Sequence, residues 1–220
     1  MKTTTKQKQF WISQFGSAYL KRNPLTVAEL DKNYKMKFNV LRTTMNKEFL
    51  GKLPKDIKIL EVGANWGLQL MTLQKLGFKN LYGIEVNPFA IEYAHKHTKG
   101  IYIIEGDALE LPFKDGYFDL VFTSGVLIHI DPKNVPQAMK EIYRVSKKYI
   151  WGTEYHSDEY THTPYRGRNN VQWKTNFPKI YMDLFPDLKL VKEKRYKYLQ
   201  NENIDTMFLL QKSNKLSSGK

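Results

Sequence analysis

The segment from Ile57 to Leu76 constrains the fold of this chain more than any other stretch. An apolar run predicts a strand over residues 57–62, and apolar residues at helical spacing predict a helix over 67–77. Between them lie Gly63 and Gly67, which allow a sharp turn and the close approach of a ligand to the backbone. The first turn of the helix offers unpaired N–H groups, so this arrangement is typical of the first half of a nucleotide-binding βαβ unit.

The alternation of strand and helix continues beyond this unit. Strands are predicted at 57–62, 80–85, 101–104, 117–123 and 149–155, and helices at 67–77, 88–98 and 134–145. Such alternation favours a mainly parallel sheet with helices on both faces. A short helix over 177–185 and two strands over 188–198 and 203–211 follow. The predicted class is α/β, a Rossmann-like doubly wound sheet with a C-terminal antiparallel strand pair and an N-terminal helical lid.

The N-terminal part is expected to be a frayed tail over 1–9, followed by an aromatic helix or lid that offers Tyr19 and Arg22 to a ligand. Thr26 and Glu29 form a capping-box pattern that predicts one long helix over 27–50, with its apolar stripe in the core. We expect a single domain comprising a lid (1–50), a cofactor-binding core (55–155), a substrate-side insertion (156–186) and C-terminal strands (187–211). The tail from residue 213 to 220 is predicted to be disordered.

Composition excludes several classes of protein. The chain of 220 residues has no cysteine, which rules out disulfides, thiolate metal sites and cysteine catalysis, and favours a cytoplasmic location. We find neither a leader sequence nor an apolar run of about 18 residues, so no membrane association is expected. The net charge is +13, but only 6 of the 35 basic residues are arginines, which indicates a lysine-rich solvated surface. Histidines and acids show no metal-ligand spacing, so no metal is predicted.

The glycine turn does not match a dinucleotide fingerprint, because only Gly63 of the three required positions is glycine. It matches Glu-x-Gly-x-x-x-Gly, with Glu61 as the acid. The next predicted strand ends in Glu85, and Asp107 lies shortly after the end of the one that follows. A carboxylate at the first of these ends can accept hydrogen bonds from a ribose diol, and one at the second from the amine of adenine.

With these motifs in this order, residues 55–155 resemble the class I S-adenosylmethionine-dependent methyltransferases. The resemblance implies that S-adenosyl-L-methionine is the cofactor. It places the methionine part at the glycine turn and beside Ser124, the ribose at Glu85, and the adenine at Asp107. Asn65 departs from the family pattern, which has a glycine there, although asparagine tolerates a left-handed backbone. The expected cofactor-binding residues are Tyr19, Arg22, Glu61, Gly63, Ala64, Asn65, Gly67, Glu85, Val86, Asp107, Ala108, Ser124 and Gly125.

A narrower resemblance, over about residues 10–211, is to the methylases associated with pseudaminic acid biosynthesis. It is carried by Phe10-Trp11, Phe15-Gly16, Tyr19, Arg22-Asn23, the turn from Gly63 to Gly67, Tyr165-Arg166-Gly167 and the run from Tyr181 to Pro186. It implies that the acceptor is a small molecule, a sugar or nucleotide sugar of surface-glycan synthesis.

Methyl transfer needs a general base only when the acceptor must lose a proton in the transition state. Three side chains near the ends of the fourth and fifth predicted strands are the catalytic candidates: His129, Glu154 and His156. Tyr155, Tyr165 and Arg166 are expected to contact the acceptor. Two alternatives remain open at this point, an RNA-directed methyltransferase and a cofactor-binding protein without catalysis. The sequence Ser124-Gly125-Val126-Leu127 lacks the Asn/Asp-Pro-Pro-aromatic run of base-amine methylases, which disfavours a nucleic-acid base as acceptor.

Overall fold

The computed structural model describes residues 5–213, apart from the side chains of Leu20 and Lys21. Its helices are α1 (Lys6–Ile12), α2 (Gln14–Arg22), α3 (Val27–Phe38), α4 (Arg42–Leu50), α5 (Leu68–Lys75), α6 (Pro88–His97), α7 (Val135–Val145) and α8 (Phe177–Leu184). Its strands are β1 (Lys58–Val62), β2 (Asn80–Glu85), β3 (Ile101–Glu105), β4 (Phe118–Ser124), β5 (Ser146–Tyr155), β6 (Thr161–His162), β7 (Trp173–Lys174), β8 (Leu188–Lys197) and β9 (Ile204–Lys212).

The main sheet has seven strands in the order β3-β2-β1-β4-β5-β9-β8. Strands β1 to β5 run parallel, whereas β9 is antiparallel to both β5 and β8. The strand order reverses between β1 and β4, and in open sheets this is the point where ligands bind, at the carboxyl ends of the strands. The predicted fold class is confirmed.

Each face of the sheet carries its own apolar core. Residues of β9 alternate between the two, with Met207 and Leu209 in one core and Phe208 and Leu210 in the other, as the period of two along a strand requires. Helices α4, α5 and α6 cover the first face, and α7 and α8 cover the second. The sequence of α7 explains why this segment forms a helix on the sheet. Its apolar residues recur at helical spacing and form one buried stripe of Val135, Ala138, Met139, Ile142 and Val145.

The predicted long helix over 27–50 is wrong. The structure has two helices, α3 and α4, because Asn39 adopts a left-handed conformation (φ 59°) that ends α3. Asp31 of α3 then accepts hydrogen bonds from the backbone N–H of Thr43 (2.8 Å) and from its hydroxyl (2.8 Å), and so caps the start of α4. The break resets the helical phase and changes which side chains of α4 are buried.

Two further expectations at the N-terminus and in the insertion need correction. Residues 6–9 are not a frayed tail, since they lie in α1, whose N-cap Thr5 accepts a bond from the N–H of Lys8. The sequence predicts no strand over residues 156–176, but β6 and β7 pair within this segment as a short antiparallel hairpin. The tail predicted to be disordered lies outside the described residues except for residue 213.

Among residues 5–213, no helix is long and apolar enough to cross a membrane.

Candidate active site

A cavity of about 510 Å³ lies at the carboxyl ends of the parallel strands, where the strand order reverses. The loops that follow β1 to β5 form its floor and walls. Helices α1, α2 and α3 contribute lining side chains from above, among them Trp11, Tyr19 and Tyr34. Its volume is typical of a site for a small molecule or cofactor.

The turn after β1 has a left-handed backbone at three positions, Gly63 (φ 73°), Asn65 (φ 49°) and Gly67 (φ 92°). Gly63 lines the cavity, and a Cβ there would come within 2.6 Å of the Val126 side chain. Gly67 instead faces the core, where a Cβ would meet Ile103 at 2.9 Å, and it does not line the cavity. Asn65 thus takes the conformation that a glycine would adopt in this turn.

Glu85, at the end of β2, ties this turn to the neighbouring loop. Its carboxylate accepts hydrogen bonds from the backbone N–H groups of Asn65 (2.8 Å), Val86 (2.9 Å) and Asn87 (3.0 Å). Burial raises the pKa of Glu85, while these bonds act in the opposite direction. A carboxylate has about four acceptor positions, so one remains for a ligand.

Four buried side-chain oxygens in the cavity wall have no hydrogen-bond partner among the described residues: Oε2 of Glu61, near the end of β1, Oδ1 of Asn65, Oε1 of Gln69 and Oγ1 of Thr153. Burial raises the pKa of Glu61 well above its usual value, and the nearby Arg42 opposes this rise. Buried acceptors that lack a donor are costly, so this wall is suited to a ligand that brings its own donors, such as an ammonium or hydroxyl group. The cavity therefore fits the adenosyl-amino-acid cofactor that the sequence implies.

Asp107, after β3, meets the N-terminal lid. Its carboxylate accepts a bond from the N–H of Leu109 (3.0 Å) and forms an ion pair with Lys8 of α1 (3.1 Å). A second link joins the lid to the core, since the Asn87 side-chain amide donates to the carbonyl oxygen of Trp11 (2.8 Å). The lid lies closed over this end of the cavity.

Glu154, at the end of β5, supports the loop after β4. One oxygen accepts from the N–H of Val126 (3.1 Å) and the other from that of Ile128 (3.4 Å), which lies within a short 3-10 helix at Leu127–His129. Burial raises the pKa of Glu154 to about 7. Its carboxylate thus holds Ser124 and Gly125 against the cavity by fixing the turn that follows them.

His129 ends that 3-10 helix and faces the cavity between two aromatic rings. Its ring centroid lies 4.8 Å from that of Trp11 and 5.1 Å from that of Tyr165. Nδ1 lies 2.7 Å from the carbonyl oxygen of Val171, so Nδ1 carries the proton and Nε2 keeps the lone pair. Burial lowers the pKa of His129 to about 4, so the ring is neutral at pH 7.

The side of the cavity near β5 and β9 is rich in tyrosines. Tyr19, Tyr34, Tyr155 and Tyr165 line it together with Gln172, Lys37 and Asp205. Lys37 lies 4.0 Å from the Tyr198 ring centroid and 3.9 Å from the Asp205 carboxylate. This side offers aromatic rings together with hydroxyl, amide and charged groups, which suits a compact polar molecule.

The structure brings most of the sequence-predicted site residues to this cavity. The lining set is Tyr19, Glu61, Gly63, Ala64, Asn65, Glu85, Val86, Asp107, Ala108, Ser124, Gly125, His129, Glu154, Tyr155 and Tyr165.

Four predicted site residues, Arg22, Gly67, His156 and Arg166, do not line it. Arg22 is exposed and donates to the Phe15 carbonyl (3.4 Å), and exposed Arg166 lies 5.9 Å from the ring of its neighbour Tyr165. His156 is buried elsewhere, with Nε2 3.3 Å from Asp158.

Several cavity residues were not predicted. Tyr34 was assigned to the core stripe of a long helix, but it lines the cavity, as do Lys37 and Asp205. Arg42 is completely buried behind the wall and donates to the hydroxyl oxygens of Tyr34 (2.9 Å) and Ser124 (3.3 Å). The sequence signal that could have identified Arg42 as buried is its helical spacing. The buried stripe of α4 consists of Arg42, Met45, Asn46, Phe49 and Leu50.

Among the described residues, no group of three or more histidine, aspartate or glutamate side chains could hold a metal ion.

The chain is similar in sequence to known methyltransferases. Residues 60–149 match the family model described as a methyltransferase domain. Sterol methyltransferase-like 1 from Botryococcus braunii is 25% identical over 150 residues, which cover 66% of this chain and 38% of that protein. The chain spans less than half the length of the curated relatives that it matches.

Solved structures share the fold at low identity. The PH0226 protein from Pyrococcus horikoshii OT3 is 17% identical with a TM-score of 0.66, and the match covers 89% of this chain and 99% of that one. The 1,6-didemethyltoxoflavin-N1-methyltransferase from Burkholderia thailandensis, solved with 1,6-didemethyltoxoflavin and S-adenosylhomocysteine, is 12% identical with a TM-score of 0.67, over 97% and 93% of the two chains. Residues 60–149 are thus similar to a methyltransferase domain, and the chain shares its fold with solved methyltransferase structures.

Proposed function

We propose that the protein transfers a methyl group from S-adenosylmethionine to a small-molecule acceptor, a sugar or nucleotide sugar of surface-glycan biosynthesis. One observation carries the proposal: a single cavity joins two chemically different halves. One half presents the acids Glu61, Glu85 and Asp107, and the other presents tyrosine rings together with Gln172. The first half suits the cofactor and the second suits the acceptor.

Each part of the cofactor has a group in the first half that complements it. Glu85 keeps one acceptor position for the ribose hydroxyls while it holds the turn. Asp107 and Ala108 would hold the adenine, with Lys8 of the lid against the same carboxylate. Gly63, Ala64 and Asn65 would lie along the methionine part, together with Ser124 and Gly125.

When bound, S-adenosylmethionine supplies the methyl group on a sulfonium that is also its own leaving group. The remaining task of the protein is to align the acceptor and to exclude water. The lid meets both needs, because Trp11 packs on His129 (4.8 Å) and Phe15 on Tyr165 (6.0 Å between ring centroids). Tyr155 and Tyr165 would position the acceptor. Arg166 and Arg22, which lie outside the cavity, have no part in this proposal.

His129 is the general base that we propose for an acceptor that must lose a proton. It lines the cavity, is neutral, and keeps a lone pair on Nε2 because Nδ1 donates to Val171. Both oxygens of Glu154 accept backbone N–H bonds, so its proposed role is to position the loop that carries Ser124 and His129. His156 has no proposed role, because it contacts Asp158 away from the cavity.

The acceptor class rests on the lining of the second half and on the resemblance to the pseudaminic-acid-associated methylases. Aromatic faces pack on the apolar face of a sugar ring, and side-chain amides and hydroxyls bind its polar edge. The proposal treats residues 1–220 as a single domain with lid, core, insertion and C-terminal strands in the ranges given above. It also includes a cytoplasmic location, which the absence of cysteine favours.

The test is a transfer assay with methyl-labelled S-adenosylmethionine and a panel of nucleotide sugars and free sugars, read out by mass spectrometry. We expect one acceptor to gain a single methyl group, and His129→Asn to slow the transfer about 100-fold or more if the acceptor is an alcohol. The matched control is His97→Asn, a change on the surface of α6.

Two other results would contradict the proposal. Label that appears in RNA and in no small molecule would identify an RNA-directed enzyme. Tight binding of S-adenosylhomocysteine with no transfer to any acceptor in the panel, RNA included, would indicate a cofactor-binding protein without catalysis.

A further inference from the structure

Lys37 is a charged residue of the cavity whose role the proposed function leaves open. Its ammonium group lies among aromatic rings, with the ring centroids of Tyr198, Phe38 and Tyr155 at 4.0, 5.0 and 5.6 Å from Nζ. These cation–π contacts hold the group on the tyrosine-rich side of the cavity. Because the side chain lines the cavity and remains 32% exposed, a ligand in the cavity can reach it.

The ammonium group of Lys37 has hydrogen-bond donors to spare. Among residues 5–213, Asp205 is the only acid within 4 Å of it, and the 3.9 Å between Nζ and the carboxylate exceeds the length of a hydrogen bond. An ammonium carries three donors, and the aromatic rings supply no oxygen in their faces to accept them. Burial lowers the pKa of Lys37, and the charge of Asp205 opposes this effect. A second anion beside Lys37 would favour the charged lysine in the same way.

Positive charge exceeds negative charge around Asp205. This buried carboxylate is the acid whose charge acts on both Lys37 and Lys174. Burial raises the pKa of Asp205, and the two lysines together with Arg42 oppose the rise. Arg42 acts on Glu61 as well. Even when Glu61 is counted as the partner of Arg42, two lysines share a single carboxylate, which leaves one positive charge without an anion.

The positions of the two lysines show which of them can meet a ligand. Lys174 donates to the side-chain oxygen of Asn203 and lies 5.7 Å from the Tyr155 ring centroid, but it does not line the cavity. Lys174 therefore adds positive potential without contacting a ligand, and Lys37 is the cation that a ligand meets. A cation in a partly buried site with an excess of positive charge favours an anionic ligand.

We propose that Lys37 binds an oxyanion of the methyl acceptor and so selects anionic sugars over neutral ones. The proposal rests on the proposed function, because it assumes that the acceptor occupies the tyrosine-rich side of the cavity. Asp205, which accepts a bond from the Tyr198 hydroxyl (3.0 Å), is a positioning residue that keeps the ammonium there. The oxyanion is the carboxylate of an acidic sugar or the diphosphate of a nucleotide sugar, and both offer oxygen acceptors to an ammonium group.

The test is a calorimetric titration of the protein saturated with S-adenosylhomocysteine. Glucose is the neutral ligand, glucuronic acid adds a carboxylate, and UDP-glucose adds a diphosphate. We expect the wild-type protein to bind at least one of the two anionic ligands about tenfold or more tightly than glucose, because only an anion forms a charge-assisted hydrogen bond with Lys37. The anionic ligand that binds more tightly identifies the source of the oxyanion.

Substitutions at Lys37 assign the preference to this side chain. Lys37→Met should remove most of the preference and leave S-adenosylhomocysteine binding unchanged, whereas Lys37→Arg should retain it because the charge remains. Lys32→Met, at an exposed position on the same helix, is the matched control and should behave as the wild type.

A double variant separates ligand binding from a purely structural ion pair. Lys37→Met leaves the buried Asp205 with one cation fewer, which destabilises the fold. Lys37→Met combined with Asp205→Asn removes both charges, so it should restore the thermal unfolding temperature without restoring the preference for the anionic ligand.

Three results would overturn the proposal: equal wild-type affinity for all three ligands, a preference that persists in Lys37→Met, or a preference that returns in the double variant. If Lys37→Met does not fold, the double variant supplies the comparison with the wild type. A wild-type protein that bound no S-adenosylhomocysteine would instead contradict the proposed function itself.

Discussion

Asn65 is the residue at which the sequence departs most visibly from its family pattern, and the structure explains how the turn survives. Its backbone is left-handed, with φ of 49°. Asparagine adopts this region more readily than other residues with a Cβ. The backbone N–H is then free to donate to Glu85 (2.8 Å), and the side chain lines the cavity instead of filling it.

Two substitutions separate the conformational role of Asn65 from its contact with a ligand. Asn65→Val should lower the free energy of unfolding by about 1–2 kcal/mol, because a β-branched residue is strained in this conformation. Asn65→Gly should keep the stability but weaken S-adenosylhomocysteine binding, because the side-chain acceptor is lost. Chemical denaturation and calorimetry measure the two effects. Equal stability of both variants would show that the left-handed turn does not constrain this position.

The proposed role of His129 as general base predicts how kcat/KM depends on pH. The neutral imidazole is the form that accepts a proton, and burial lowers the pKa of His129 from 6.5 to about 4. The base form therefore persists as pH falls, and kcat/KM for an alcohol acceptor should decline only near pH 4, well below the usual histidine range. A profile of kcat/KM against pH for the wild-type enzyme measures the pH at which this decline occurs.

Two outcomes of that profile would contradict the assignment. A limb near pH 6.5 would mean that the ring is solvated during catalysis. A limb near pH 7 that disappears in Glu154→Gln would identify Glu154 as the base, because burial raises the pKa of that carboxyl to about 7.

The side chains that sequence reasoning could place are those that directly follow a predicted strand. Glu85, Asp107 and Ser124 belong to this group, because parallel strands deliver their carboxyl ends to one edge of the sheet. Arg42 and Tyr34 could not be placed in this way. Their position depends on the break at Asn39, which nothing in the apolar spacing indicates, since the stripe from Leu30 to Phe49 reads as continuous.

The sequence gives least information about how the lid packs on the cavity. A substitution at Gly16 tests whether this packing controls access to the cavity. This glycine packs directly on the lid's own turn, where an added Cβ would lie 1.7 Å from the Trp11 carbonyl oxygen and 2.7 Å from Nδ2 of Asn87. Gly16→Ala should therefore break the Asn87–Trp11 hydrogen bond and open the lid. We expect faster dissociation of S-adenosylhomocysteine in stopped-flow measurements, with an unchanged thermal unfolding transition of the core.

Ser17→Ala is the matched control for this experiment, because position 17 already carries a Cβ. An unchanged dissociation rate in Gly16→Ala would mean that α1 and α2 do not control access to the cavity.

The overall arrangement of the chain was largely predictable because it rests on local patterns. Strands β1 to β5 and helices α5 to α7 follow from apolar runs, glycine turns and caps, and the rule for parallel sheets then fixes their layers. The packing of α1 and α2 on the cavity depends instead on long-range contacts such as Lys8 with Asp107. Such contacts have no sequence signature, so the closed lid required the structure.

Calorimetric titration of the wild-type protein and Glu85→Ala with S-adenosylhomocysteine tests whether this cavity is the cofactor site. The wild-type protein should bind one ligand per chain. Glu85→Ala should bind about tenfold or more weakly, because the variant loses the acceptor for the ribose hydroxyls and the bond that fixes Asn65. Glu92→Ala, on the exposed face of α6, should match the wild type. No binding to the wild-type protein, or an unchanged affinity in Glu85→Ala, would contradict the assignment of this cavity.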